Sequence, residues 1–169
     1  MNALWFGVIT GAVLILYSLI LFLVGMHTNR YLGYVGYVIL LAGMIWGTLE
    51  YRNKYLGGFI PYGKAFSSCF MIGLYAGLLS AVYMFIFAKF IHPGFVQELL
   101  EISREAIYNS NPNMSEEQVD QALEMSSKFM SPVMMAIWAF VGYLIASAIL
   151  GLIVAIFLKK EDKSAAPQV

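Results

Sequence analysis

The chain has 169 residues, 60% of them hydrophobic and 12% charged, with ten Lys plus Arg balancing ten Asp plus Glu. Soluble domains carry roughly 25% charged residues, so the deficit points to membrane spans, and a net charge of zero argues against a nucleic-acid partner. A single cysteine, Cys69, excludes an internal disulfide and any multi-cysteine zinc or iron-sulfur site within one chain.

Four stretches, 4–26, 31–49, 65–88 and 133–158, contain no Asp, Glu, Lys, Arg or His. Each exceeds the roughly 18 residues that a transmembrane helix requires. An open chain satisfies its backbone amides in hydrocarbon only as a helix. The first stretch follows Met1, Asn2 and Ala3 with no basic segment and no small-residue cleavage site, so a retained helix is expected there, not a signal peptide. The third is expected to run to residue 91, with Lys89 snorkelling at its end.

The 50–64 loop carries Arg52, Lys54 and Lys64, and the C-terminal tail carries Lys159, Lys160 and Lys163. The opposite side carries Arg30, Lys89, Arg104 and Lys128. Six against four places both termini and the 50–64 loop in the cytoplasm and the 92–132 loop outside.

That long loop holds Glu98, Glu101, Glu105, Glu116, Glu117, Asp120 and Glu124. Behind Pro93-Gly94, Phe95, Val96, Leu99, Leu100, Ile102, Ala106 and Ile107 recur at near-helical spacing. Asn109-Ser110-Asn111-Pro112-Asn113 reads as a turn, and Ser115 followed by Gln118 as a capping box opening a second helix. The expected fold is therefore an all-α membrane protein. One four-helix domain occupies 1–160, with an extracytoplasmic amphipathic hairpin at 94–130 between helices 3 and 4 and a short polar tail at 161–169. The hairpin is expected either to lie on the membrane as a lid or to bind a partner.

Lipid gives helices no hydrophobic reason to associate, so close approach relies on small residues at four-residue spacing. Gly7 and Gly11, Gly43 and Gly47, Gly73 and Gly77, and Ser147, Gly151 and Ala155 supply them in the four spans. No ionisable residue lies at membrane depth, and four spans without an internal repeat do not suit transport by a monomer.

Gly58 through Lys64 matches the spacing of a phosphate loop, but a membrane span precedes it and Ala65 follows where Ser or Thr is needed, so nucleotide binding is not expected. His27 and His92, with several methionines on the same side, are the only candidate metal ligands, a set that would suit cuprous copper. Methionine is also an ordinary filler of helix contacts. No nucleophile with a base and no convergent carboxylate pair supports catalysis.

At Tyr55-Leu56-Gly57-Gly58-Phe59-Ile60-Pro61-Tyr62-Gly63-Lys64-Ala65-Phe66, at Glu101-Ile102-Ser103-Arg104-Glu105, and from Met114-Ser115-Glu116-Glu117-Gln118 to Met125-Ser126-Ser127-Lys128-Phe129-Met130-Ser131-Pro132, the chain resembles the domain of unknown function 4199 family. The resemblance implies a small four-helix integral membrane protein of bacteria with no assigned activity or ligand. By association it also implies accessory work beside a cell-envelope or lipid-linked sugar enzyme.

The function expected is thus that of a non-enzymatic accessory or scaffold subunit of the bacterial inner membrane, without cofactor, acting through a protein partner. Glu98, Glu101, Arg104, Glu116 and Glu117 on the hairpin, with Gly58, Tyr62 and Lys64 in the turn, are the candidate contacts. The alternative is an oligomeric transport or channel component whose polar path would be lined by Ser67, Ser68, Tyr75, Ser80 and Tyr83.

Overall fold

The computed structural model describes residues 3–160; the 161–169 tail, with Lys163, lies outside the described residues. Among the described residues six α-helices follow in order: α1 (Ala3–Leu23), α2 (Arg30–Tyr55), α3 (Tyr62–Ile86), α4 (Phe95–Ser110), α5 (Glu116–Phe129) and α6 (Pro132–Leu158). A π-helical segment, Phe87–Ile91, prolongs α3. Among the same residues the only β pairing is an isolated antiparallel bridge between Ile60 and Lys160.

Four of these helices, α1, α2, α6 and α3 with its π extension, are long and apolar enough to cross a membrane. The protein is an all-α, multi-pass membrane protein. Only 22% to 39% of each span's apolar window is buried by the rest of the chain. The remaining surface, including Leu16, Ile20, Val38, Leu78, Ile149 and Phe157, is apolar and exposed, which suits lipid and not water.

Local chemistry fixes the helix ends. Gly25, at φ 73°, closes α1 in a Schellman motif: the Met26 N–H donates to the Leu21 carbonyl at 2.8 Å and the Gly25 N–H to Phe22 at 3.0 Å. Asn29 caps α2, its side-chain oxygen accepting from the Tyr31 N–H at 3.0 Å. α2 runs six residues beyond the apolar stretch that ends at 49, through Glu50, Arg52 and Lys54, and stops only before Gly57 and Gly58. Loss of hydropathy marks where a helix leaves the apolar layer; it does not stop the helix.

The chain divides into two compact units, one made of the chain up to Ser80 together with the chain from Phe140 on, the other of Ala81–Ala139. In the first, Leu14, Leu40, Met44, Cys69, Ile72, Ala76 and Val154 form the buried core. Small residues let the helices approach. A methyl group placed on Gly7 would meet Tyr75, and one on Gly73 would overlap the Ser147 side chain. Buried Thr48 bonds Ser68 at 3.1 Å and approaches the Cys69 Sγ at 3.2 Å, tying α2 to α3 through hydroxyl chemistry.

The second unit holds the ends of two spans and the α4–α5 hairpin. Its core is Phe87, Ala88, Phe95, Val119 and Leu123, with the Phe87 and Phe95 rings edge to face at 5.2 Å.

Candidate functional site

The hairpin is built from its entry upward. The His92 N–H donates to the Phe87 carbonyl at 2.8 Å, closing the π turn, and Pro93 forces His92 out of helical geometry, to φ −136° and ψ 74°. The chain re-enters a helix at Phe95. There the His92 imidazole lies 3.0 Å from a Glu98 carboxylate oxygen and 6.0 Å, centroid to centroid, from both Phe87 and Phe95. Glu98 is thus a positioning group at the hairpin's root and not a member of a free acidic face.

α5 opens with the capping box that its sequence predicts. The Gln118 N–H donates to the Ser115 hydroxyl at 3.4 Å, and the Gln118 side chain accepts from the Ser115 N–H at 3.1 Å. Glu116 and Glu117 fill the first turn, where carboxylates complement the helix dipole. An Arg104 to Asp120 ion pair at 2.6 Å bridges α4 to α5. Beside it runs a groove of about 550 Å³ lined by Gln97, Leu100, Glu101 and Arg104 of α4 and Leu123, Glu124 and Ser127 of α5. Glu101 and Arg104 therefore share one surface, while Glu116 and Glu117 lie at the start of α5.

The other group of candidates, Gly58, Tyr62 and Lys64, belongs to the first unit. Gly58, at φ 90°, adopts a backbone conformation that side-chain-bearing residues rarely take, and its N–H donates to the Arg52 carbonyl at 2.9 Å. Ile60 exchanges backbone hydrogen bonds with Lys160 at 2.8 and 2.9 Å, and Lys160 Nζ lies 5.4 Å from the Phe59 ring centroid. The Arg52 guanidinium donates to the Leu158 carbonyl at 3.3 Å. Tyr62 and Lys64 lie in the exposed first turn of α3. Because a helix precedes this segment and Ile60 is tied to Lys160, the glycine-to-lysine spacing forms a strut between spans and not a phosphate cradle.

His27 belongs to the first unit, edge-on to Phe22 at 5.4 Å. Of the hydroxyls that a polar path would need, Ser67 is exposed, Ser68 points inward onto Thr48, and Ser80 is buried. Ser68 is thus engaged in joining α2 to α3.

A family model described as Protein of unknown function (DUF4199) matches residues 5–160. The chain belongs to the DUF4199 family. No curated protein and no solved structure matches it.

Three features of these sites are not visible in residue spacing alone. The Ile60 to Lys160 bridge joins residues a hundred positions apart and leaves no local pattern. The His92 to Glu98 pair spans the Pro-Gly break, so helical spacing cannot reveal it. A cavity of about 210 Å³ lies where the start of α1 meets the end of α2, among Ala3, Phe6, Gly47, Glu50, Tyr51 and Lys54. The four-residue spacing of Glu50 and Lys54, which form an ion pair, is the one signal that points toward it.

Proposed function

We propose that this DUF4199 protein is a non-enzymatic accessory subunit of the bacterial cytoplasmic membrane that binds a protein partner through its α4–α5 hairpin. The observation that carries this reading is the acidic groove. Over residues 94–130, seven carboxylates stand against only Arg104 and Lys128, a net charge of −5, and two of them, Glu101 and Glu124, line the open groove between the helices together with Gln97, Arg104, Ser127 and the apolar Leu100 and Leu123. Complementary charge selects and steers a partner, so the partner presents basic side chains. The excess of Lys and Arg at the 50–64 loop and the chain end supports a hairpin facing away from the cytoplasm. A cell-envelope or lipid-linked sugar enzyme is a partner class that fits this placement.

The test is affinity purification of the full chain from its native membrane in mild detergent, with mass spectrometry and a mass estimate of the complex. A stoichiometric second protein is expected. Charge reversal by Glu101→Lys, or by Glu116→Lys with Glu117→Lys, should release it without loss of helix content. Complex recovery unaffected by the reversals would remove the hairpin as the contact. Recovery of a discrete homo-oligomer alone would replace this reading with a pore or transport component, to be measured by flux into liposomes.

A further inference from the structure

The hairpin is sorted lengthwise into flanks of different chemistry. On α5, Val119 and Leu123 are buried. At 3.6 residues per turn, Glu116, Asp120 and Glu124 fall on one side of that buried line, the side that borders the groove. Gln118, Ala122, Met125 and Phe129 fall on the other, without a single charge. Met125 is 67% exposed and Phe129 54%. On α4, Gln97, Glu101 and Arg104 lie on the groove flank and Phe95, Leu99, Ile102 and Ala106 on the opposite one, where Ile102 is 43% exposed and is bordered one turn away on each side by Glu98 and Glu105. Since the groove takes one flank from each helix, the uncharged flank of α5 and the Ile102 side of α4 lie away from it.

Chain continuity says what meets these two flanks. α5 ends at Phe129 and the span α6 begins at Pro132, so Phe129 stands within three residues of a transmembrane helix. The same unit also exposes Val133, Ile137 and Trp138 of α6 and Phe90 at the end of the α3 extension. Lys89 Nζ is held 5.2 Å from the Phe85 ring centroid and 5.5 Å from that of Phe90, at the end of the α3 extension, where a lysine over aromatic rings suits the lipid–water boundary. An amphipathic helix with one charged and one apolar long side lies in that boundary plane.

We propose that the hairpin lies along the bilayer surface, with Ile102, Met125 and Phe129 inserted among the lipid headgroups and upper acyl chains and the acidic groove turned to water. The surface is a lipid-binding face distinct from the transmembrane spans. It stands whether or not the groove binds a partner.

Single cysteines at 102, 125 and 129, and at 101 and 124 for comparison, would carry nitroxide labels in the full chain reconstituted into phosphatidylethanolamine and phosphatidylglycerol vesicles. Cys69 is buried, so the otherwise unaltered chain taken through the same labelling supplies the blank. Power saturation should give oxygen-to-nickel-chelate collision ratios several-fold higher at 102, 125 and 129 than at 101 and 124. Equal ratios would overturn the proposal by showing a hairpin that stands in water. Low collision with both reagents at 125 and 129 would overturn it by showing a protein-covered flank. Should a label at 129 reduce helicity, position 122 on the same flank takes its place.

Discussion

The two compact units solve the same packing problem in different solvents. Where the first unit joins its helices, glycines abut side chains and hydroxyls bond hydroxyls, as at Gly7 on Tyr75, Gly73 on Ser147 and Thr48 on Ser68. The hairpin of the second unit joins α4 to α5 with buried branched residues and a surface ion pair. In lipid, apolar side chains gain nothing by leaving their surroundings, so contact distance and hydrogen bonding decide association. At the water boundary, removing Val119 and Leu123 from solvent is itself favourable. The difference teaches that a stripe of small residues and a two-sided helix each report the surrounding solvent as much as the structure.

The sharpest way to break the comparison is to fill a glycine contact. Gly73→Leu would drive a side chain into Ser147 and Met44, where even a methyl group overlaps. Overpacking of this kind costs about 1 to 3 kcal/mol, and more where the neighbours cannot shift. The expected outcome is loss of the folded state at lower denaturant in a detergent unfolding titration. Gly142→Ala, where nothing lies within 4 Å of the added carbon, should leave the midpoint in place. Equal behaviour of the two variants would show that close approach does not hold these helices.

The converse perturbation belongs to the hairpin. Leu123→Ala removes buried apolar volume from the α4–α5 contact, at a cost of about 2 to 3 kcal/mol. Hydrogen exchange should quicken across α4 and α5 while amides of the first unit keep their protection. Exchange that rises equally in both units would mean that they unfold as one, and that the solvent distinction has no energetic consequence.

The spans were legible because charge is excluded from hydrocarbon whatever the tertiary structure, and the hairpin helices because Pro93-Gly94, Asn111-Pro112 and Ser115 with Gln118 act through local backbone chemistry. What the sequence left unread depends on contacts between distant residues or across a break in periodicity. The continuation of α2 to Tyr55 was hidden because polar residues leave the apolar layer without leaving the helix. The π turn at Phe87–Ile91 has no compositional mark. For the candidate site, the acidic character of the hairpin was plain, but Glu98 is diverted to His92 by a bond that spacing does not encode, and the groove exists only once α4 and α5 are paired.

The smallest effect should come from the Arg104 to Asp120 pair, the most conspicuous polar link between α4 and α5. Its side chains are 47% and 60% exposed, so water competes for both charges, and exposed pairs contribute about 0.2 to 1 kcal/mol. Arg104→Ala should therefore lower hairpin protection in hydrogen exchange far less than Leu123→Ala does, and added salt should shrink the difference further as exposed charges are screened. A loss as large as that of Leu123→Ala would mean that electrostatics and not apolar burial closes the hairpin. It would also shift the design of partner-binding variants, because reversing Glu101 beside Arg104 would then perturb the hairpin's own closure. A small loss leaves Arg104 available to the groove as a recognition group set among carboxylates, where it can reject basic segments of the wrong register without supporting the fold.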